Sequence, residues 1–268
     1  FAQHFSLSSL AQYDTCREQL RQSYILGIKR PPVGYLMWGT ADHKALAVNW
    51  TQKVESHEDL PVPVVQEAFA AALDTAVVTE EEQFGQPTDW GNSNAASVKD
   101  RGAALVAAYH HVASPQVQPI SVPEQEFRLA IPGVPVPILG YIDVEQEHCL
   151  LDRKMKSRKA TVPDMKDLMQ GRVYQLANPK PVIWHVSAKT KIPGVYTPRT
   201  DPGLEAGWSL EHDRQTVRWI RSTVYAIVAD FTLYGPDNPW PGQRSLRSQA
   251  NPCGFCGYKA STCPWWKS

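Results

Sequence analysis

The sequence predicts an α/β protein, because long stretches with helical periodicity are combined with short apolar runs that are typical of buried strands. The apolar runs at 137–139 and 149–151 are each followed closely by an acidic residue, and they mark the centre of the predicted sheet. At 268 residues the chain can bury a substantial core, either as one elaborated domain or as two small ones.

The composition is that of an ordinary soluble globular protein, with 43% hydrophobic and 20% charged residues. The formal net charge is zero, so any binding of nucleic acid must come from local basic patches. No uninterrupted apolar run reaches the roughly 18 residues of a membrane span, and residues 1–10 lack the basic and apolar regions of a signal peptide. We therefore expect a cytoplasmic protein, a setting that disfavours disulfides between the five cysteines.

Amphipathic stretches predict helices at 6–26, from 39 onward, at 64–78 and at 99–111. Ser8 or Ser9 would cap the first of these helices. In the second, His43 shares an apolar face with Leu46 and Trp50. A histidine on such a face is more often a satisfied core residue, and the alternative is a metal ligand. Residues 122–130 then predict a strand that enters the sheet.

A predicted hairpin carries the acidic residues at the centre of the sheet. If 146–147 form its turn, Asp143 lies opposite Leu150 and diagonal to Asp152, and diagonal neighbours are roughly 7–8 Å apart. Strand alternation places Lys154 on the same face as Asp152. Two carboxylates and an ammonium on one face suit a divalent cation beside a phosphate. The alternative is a solvated strand edge, which the apolar context disfavours because an isolated buried carboxylate is costly.

A helix capped by Asp164 is predicted next, and it places Gln170 and Tyr174 on one face at i and i+4. Gly171 within this helix lowers helix stability by about 1 kcal/mol relative to alanine, which disfavours a purely structural role for the segment. A further strand is predicted at 182–186, followed by a loop at 191–207 and a long helix at 210–234.

Two basic groups are candidates for contacts with DNA phosphates. Lys156, Arg158 and Lys159 follow the predicted site directly. Arg214, Arg218 and also Arg221 form one stripe on the long helix, at i, i+4 and i+7. The alternative for either group is a solvated surface.

The C-terminal tail contains a metal-binding pattern, Cys253-x2-Cys256 followed by Cys263. A fourth thiolate would come from Cys16 or Cys149, and Cys149 lies in the central apolar run, where we expect a core residue. Four thiolates suit either tetrahedral zinc or an iron–sulfur cluster. Either centre would join the two ends of the chain.

The order of these features resembles the RecB-like branch of the PD-(D/E)XK nuclease superfamily. It is similar in particular to the iron–sulfur exonucleases related to the AddB nuclease domain and to the CRISPR-associated adaptation exonucleases. The residues that carry the resemblance are Cys16, Gly39-x3-His43, Gly140-x2-Asp143, Asp152-x-Lys154, Gln170-x3-Tyr174 and the group Cys253, Cys256 and Cys263.

The resemblance implies a mixed sheet flanked by helices in a single nuclease domain over 1–268. Its parts would be a mainly helical segment at 1–113, a catalytic sheet core at 114–190, and a helical, cluster-binding segment at 191–268. The implied metal ligands for Mg²⁺ or Mn²⁺ are His43, Asp143, Asp152 and the main-chain carbonyl of Arg153. A [4Fe–4S] cluster would be held by Cys16, Cys253, Cys256 and Cys263.

The implied activity is hydrolysis of phosphodiester bonds in single-stranded DNA or duplex ends, during recombination, repair or phage or CRISPR DNA processing. Lys154 would orient or help to deprotonate the attacking water, Gln170 would hold a phosphate oxygen, and Tyr174 would line the path of the strand. A homo-oligomeric ring or a helicase or integrase partner is compatible with the family. Asp152 stands where glutamate is more usual, and Arg153 stands where an apolar or aromatic residue is more common.

Two other interpretations fit the same residues. The chain could be a non-catalytic nucleic-acid-binding module with a structural metal cluster, in which case Mg²⁺ and Mn²⁺ would support no cleavage. It could also be a zinc-stabilised enzyme of another class, which a brown, iron-containing protein would exclude.

Overall fold

The computed structural model describes residues 3–29, 33–158, 164–189, 194–196 and 210–242, together with positions 253, 256, 258 and 262–265 of the tail. The chain divides into two compact units, and each combines segments that are distant in sequence. The first unit contains Phe1–Arg30, Arg128–Gly140 and Leu210–Ser268. The second contains Pro31–Phe127 and Tyr141–Ser209.

Helices and short strands together form the mixed α/β fold that the sequence predicted. The α-helices of the described residues are α1 (Leu7–Thr15), α2 (Arg17–Leu20), α3 (Gly34–Ser56), α4 (Val62–Phe84), α5 (Ala95–Val112), α6 (Met165–Ala177) and α7 (Leu210–Tyr234). Their strands are β1 (Phe5–Ser6), β2 (Gln125–Leu129), β3 (Ile138–Ile142), β4 (Val144–Glu145), β5 (Leu150–Lys156), β6 (Val182–Ala188) and β7 (Gly194–Tyr196). A π-helix (Arg21–Ile25) and a 3₁₀ turn (Ser114–Gln116) complete these elements.

The strands belong to two sheets. One has the order β1-β3-β2, with β1 parallel to β3. The other has the order β4-β5-β6-β7. In this second sheet β5 and β6 run parallel, whereas β4 pairs with β5 and β7 pairs with β6 in antiparallel fashion. The inner strand β5 is buried over its first four residues, and the apolar run at 149–151 predicted this for Leu150 and Leu151.

The core of the second unit lies where α3, α4 and α5 pack together. By length and composition alone, α4 could cross a membrane, although polar and charged residues such as Gln66, Glu67 and Asp74 interrupt its apolar residues. This criterion is weak, since the core helix of a globular protein can also meet it. In the structure Val65, Phe69 and Leu73 of α4 are buried in the core.

In the first unit, α1 and α7 are in contact. The cap of α1 is Ser6, which forms a reciprocal capping box with Ser9, and not Ser8 or Ser9 as predicted. The predicted helix over 6–26 is also interrupted, because Cys16 has an extended backbone between α1 and α2. A buried hydrogen bond from the Tyr13 hydroxyl to Asp230, 2.6 Å long, joins α1 to α7.

The helix that carries His43 is longer than predicted. It begins at Gly34 and not at Gly39, because the Gly34 amide donates a hydrogen bond of 2.9 Å to the Asp89 carbonyl and fixes the first turn. His43 therefore lies in the middle of a long helix, whose buried residues include Asp42, Leu46 and Trp50.

Candidate active site

The turn between β4 and β5 brings the two predicted acids together. The strands pair Val144 with Leu151 and Glu145 with Leu150, a register that places Asp143 level with Asp152 and not with Leu150. The predicted turn was wrong by one position, because the bond from the Gln146 amide to the Cys149 carbonyl closes a turn centred on 147–148. The opposite residue thus moves by two positions, and this keeps every side chain on its predicted face.

Asp143 is the link between β5 and α3. Its Oδ2 accepts a hydrogen bond of 2.6 Å from the Arg153 main-chain amide, which fixes the carboxylate beside the strand. The His43 Nδ1 lies 3.5 Å from the same oxygen. The His43 side chain is 28% exposed, so its ring lies between α3 and solvent and is not a core residue.

Asp152 is fully buried and forms an ion pair with Lys154. The Lys154 Nζ lies 2.9 Å from Oδ1 and 2.7 Å from Oδ2 of Asp152, and it donates a hydrogen bond of 2.8 Å to Gln170 Oε1. Burial raises the pKa of Asp152 to about 6, although the Lys154 ammonium acts in the opposite direction. The charge of Asp143 raises this pKa further and that of His43 lowers it, so the four groups share one electrostatic environment.

Lys154 is held in its charged form. Burial alone would lower the pKa of its ammonium, but the carboxylates of Asp152 and Asp143 outweigh that effect and the pKa is raised. The side chain keeps 20% of its surface exposed, so Lys154 lies at the edge of the buried cluster.

Helix α6 supplies Gln170 and Tyr174, as the sequence predicted. Asp164 caps the helix and accepts from the Asp167 amide at 2.9 Å. The Gln170 amide donates to the Tyr174 hydroxyl at 2.5 Å, and that hydroxyl lies 3.4 Å from Asp152 Oδ1. Burial, followed by the charge of Asp152, raises the pKa of Tyr174, which therefore acts as a neutral donor.

The structure explains the glycine inside α6. A Cβ at Gly171 would lie 2.7 Å from the Cζ2 of Trp184, whose ring is buried on β6. Gly171 therefore permits the helix to approach the sheet closely enough for Gln170 and Tyr174 to reach Lys154 and Asp152.

A second polar cluster surrounds the side chain of Arg153, which is fully buried. The Arg153 guanidinium pairs with Asp42 at 3.0 Å and donates to the Ser187 hydroxyl at 2.6 Å. It also lies over the ring of Tyr109, 4.0 Å from the centroid. Tyr109 in turn hydrogen-bonds His185 at 2.9 Å, and burial together with the charge of Arg153 lowers the pKa of His185 to about 4.

Sequence reasoning missed this cluster, although Asp42 directly precedes His43 and Arg153 directly follows Asp152. An arginine within a buried strand requires a partner, and that requirement was a usable signal. The partner could not be identified, because Asp42 is separated from Arg153 by 111 positions.

The donors around Asp152 suit a hard divalent cation in type, since they are carboxylate oxygens with one imidazole nearby. Asp152 Oδ2 has no hydrogen-bond donor of adequate geometry, even though the Lys154 ammonium is close to it. Within the described residues, however, no three histidine, cysteine, aspartate or glutamate side chains are grouped as a metal site. The carboxylate and imidazole donors therefore fit a divalent cation in chemical type. In this structure the Lys154 ammonium supplies the positive charge beside Asp152.

The predicted basic contacts near β5 differ in their surroundings. The Lys156 ammonium lies 2.7 Å from a carboxylate oxygen of Asp164 and 2.7 Å from one of Asp167, so its charge is already balanced. Arg158 is exposed, whereas Lys159 lies outside the described residues. Arg214 and Arg218 are exposed on α7.

The cysteines predicted to hold a cluster lie in the first unit. Cys16 separates α1 from α2, and the Cys256 amide donates to the Cys253 carbonyl at 3.3 Å, as in a tight turn. Cys263 is held by a backbone bond of 3.0 Å to Tyr258. The absence of a metal-type grouping among the described side chains applies to these thiols as well.

The fold and the acidic, lysine-containing strand define an α/β protein of the nuclease type. A family model described as the PD-(D/E)XK nuclease superfamily matches residues 4–264, so the chain belongs to that superfamily. This confirms the predicted superfamily, while the RecB-like iron–sulfur branch stays a prediction.

A search among curated proteins finds no match. A solved structure from Eubacterium rectale, named "putative exonuclease", is similar to this chain with a TM-score of 0.52 and 10% identity. The alignment covers 92% of this chain and 86% of that one. At this identity the likeness shows the shared fold alone.

Proposed function

We propose that this protein is a metal-dependent DNA exonuclease that hydrolyses phosphodiester bonds in single strands or duplex ends. The observation that carries the proposal is the position of the Lys154 ammonium, which lies between the Asp152 carboxylate and Gln170 on a side chain that is 20% exposed. A setting in cytoplasmic DNA recombination, repair or phage or CRISPR DNA processing belongs to the same proposal.

Mg²⁺ or Mn²⁺ would be held by His43, Asp143, Asp152 and the main-chain carbonyl of Arg153. When bound, such an ion supplies a Lewis acid that polarises the scissile phosphate. Asp152 must be ionised to bind it, and with a pKa of about 6 this carboxyl is ionised at neutral pH. Asp143 is already held in place by the Arg153 amide, which reduces the reorganisation that binding requires.

Lys154 acts as a charged donor in this mechanism. Its raised pKa keeps the ammonium protonated, so it orients the attacking water and offsets the charge that develops on the phosphate. Gln170 accepts from Lys154 and donates to Tyr174, and it thereby fixes the direction of the ammonium. Tyr174 keeps its proton and lines the strand path beside Asp152.

The deciding experiment is a time course with 5′- and 3′-labelled single strands and duplexes, in Mg²⁺, Mn²⁺ or chelator. We expect degradation from an end in either metal and none in chelator. Lys154→Ala should lower kcat at least about 100-fold, since removal of one such charge-stabilising donor costs that much in other hydrolases. Lys99→Ala removes a lysine that pairs with Asp74 on the surface, and it is the matched control. Equal turnover of Lys154→Ala and Lys99→Ala would refute the role of Lys154.

A second candidate, a non-catalytic nucleic-acid-binding module, is favoured by the lack of a metal-type grouping among the described side chains. The same time course distinguishes the two. DNA that binds but stays intact in both metals, at every protein concentration, would select the binding module.

We also propose that Cys16, Cys253, Cys256 and Cys263 hold a [4Fe–4S] cluster, an idea that the C-x2-C pattern supports. Hydrogen bonds attach the tail to the N-terminal segment. The Tyr258 hydroxyl donates to the Ile28 carbonyl at 2.7 Å, the Gln22 amide donates to the Thr262 carbonyl at 3.3 Å, and the Thr262 hydroxyl donates to Gln22 Oε1. Anaerobic purification should give a brown protein with iron and sulfide. Cys256→Ser should lose the colour and lower the melting temperature. A colourless wild-type protein containing zinc would contradict the cluster.

A further inference from the structure

A row of cationic side chains extends along one face of α7 in the first unit. Arg214, Arg218, Arg221 and Tyr225 follow one another at intervals of three or four residues, and all four are exposed. At a rise of 1.5 Å per residue the row is about 16 Å long. The arginines were predicted from the sequence as one stripe, whereas the tyrosine that continues the row at the same spacing was not.

These side chains border a shallow, open depression of about 450 Å³ on the surface of the helix, together with Val217 and Ser222. A turn of the same unit, closed by the bond from the Val134 amide to the Ile131 carbonyl, packs against one end of the row. A Cβ at Gly133 in this turn would lie 2.8 Å from the Tyr225 hydroxyl and 3.2 Å from the Arg221 Nη2. Gly133 has a φ of +83°, so the turn depends on glycine for both its conformation and its space.

The positive charge of the row is not balanced within the described part of the chain. No carboxylate there forms an ion pair or hydrogen bond with Arg214, Arg218 or Arg221. Glu211, which lies about one turn before Arg214, instead accepts a hydrogen bond of 3.1 Å from Gln215. Three guanidinium groups on one helix face, with no carboxylate partner among the described residues, attract a polyanion, and each can bind a phosphate through two parallel hydrogen bonds.

From this arrangement we infer that α7 carries a binding site for an unpaired nucleic-acid strand, separate from the residues that perform hydrolysis. The arginines bind successive phosphates, and a base stacks on the half-exposed ring of Tyr225. An exposed aromatic ring beside a cationic row favours a single strand, because the bases of a duplex are already stacked. The inference rests on the proposed function only in the identity of the polyanion as DNA.

The test measures binding without hydrolysis, by fluorescence anisotropy of a labelled oligothymidine of about 12 nucleotides, a length within the usual range of single-strand sites. The protein is the 268-residue chain in chelator, titrated at several salt concentrations. Removing one arginine–phosphate ion pair with a single strand should reduce the slope of log K against log salt by about 0.7, so Arg214→Gln/Arg218→Gln/Arg221→Gln should reduce it by about 2. Affinity at low salt should fall at least tenfold. The corresponding triple lysine variant keeps the charge and should retain most of the slope.

Tyr225→Ala should weaken binding of the oligothymidine at least about fivefold, as loss of one stacked base does elsewhere, and should change duplex binding much less. Lys99→Gln, which removes one surface charge from the other unit, is the control for general loss of charge. An oligothymidine carrying 5-iodouracil should form its photocrosslink with Tyr225. Circular dichroism reports whether the triple variant is folded, and if it is not, the three single variants should each reduce the slope by about 0.7.

An unchanged slope and affinity in folded arginine variants would overturn the inference. Displacement of the oligonucleotide by polyglutamate at equal charge concentration would overturn it in favour of an acidic protein partner. The nuclease proposal can fail independently of this inference. If the protein is inactive but shows the expected salt slopes, the inference of a strand-binding site on α7 still stands. An active nuclease with unchanged slopes would lose only the α7 site.

Discussion

The buried pair of Asp42 and Arg153 allows a quantitative prediction. Both side chains have no exposed surface, and the single contact between them is 3.0 Å long. Asp42→Leu and Arg153→Met each remove one partner and leave an uncompensated charge in the core. Each variant should therefore lower the free energy of unfolding by about 3–5 kcal/mol. The pair is imperfect, because Asp42 Oδ2 and Arg153 Nε have no hydrogen-bond partner.

The double variant should be more stable than either single variant, since it removes both charges together. Its main remaining deficit is the hydrogen bond to Ser187, at about 1 kcal/mol. The coupling energy in the double-mutant cycle should then be at least about 3 kcal/mol, well above the usual range for independent sites. Urea unfolding followed by tryptophan fluorescence gives all four free energies.

The exposed pair of Lys99 and Asp74 is the matched control, and its cycle should give no more than about 1 kcal/mol. Additive losses for Asp42 and Arg153, within about 0.5 kcal/mol, would refute the idea that the two charges depend on each other. The nuclease assay adds a second measure, because Asp42 precedes His43 and Arg153 follows Asp152. Both single variants should lose activity along with stability.

Two further predictions concern β6 and the helix that packs on it. Burial keeps His185 neutral in the folded state, with a pKa of about 4 against 6.5 when unfolded. Between these two pH values the unfolded chain therefore binds more protons than the folded chain. The free energy of unfolding should fall by up to about 3 kcal/mol as the pH drops from 6.5 to 4. His185→Asn should remove this part of the pH dependence, as measured by urea unfolding at pH 7 and pH 4.5. If the loss of stability between the two pH values is the same in the variant as in the wild type, His185 is not its cause. Gly171→Ala should lower the melting temperature, because contact with Trp184 at 2.7 Å costs about 1–3 kcal/mol and outweighs the gain of about 1 kcal/mol in helix propensity. A higher melting temperature, as expected for an unobstructed helix position, would show that the ring moves aside.

Residues that act within one element were predictable from the sequence. Lys154 follows Asp152 by two positions on a strand, and Tyr174 follows Gln170 by four on a helix, so local periodicity alone puts each pair on one face. The hairpin register was less accessible, because the bond between Gln146 and Cys149 that moves the turn depends on side-chain and backbone geometry that no alternation pattern encodes. The error did no harm to the site, since a shift of two preserves the faces of the strand.

Arg153 shows where local patterns stop being informative. In the resembling family this position more often holds an apolar or aromatic residue, and apolar packing would fix a strand against a helix without any charged partner. Here the guanidinium contacts Asp42 on α3, Ser187 on β6 and the ring of Tyr109 on α5. Buried ion pairs are often no more stable than apolar residues of the same volume, so stability is a weak reason for this one. The directionality of hydrogen bonds is the stronger reason. The bonds from Arg153 to Asp42 on α3 and Ser187 on β6 fix the position of β5 relative to both elements, whereas apolar contacts would allow small shifts. On this hypothesis the double variant Asp42→Leu/Arg153→Met should regain stability but not activity, which would separate the role of the ion pair in stability from its role in positioning. Recovery of both would mean that tight packing alone positions His43 beside Asp143.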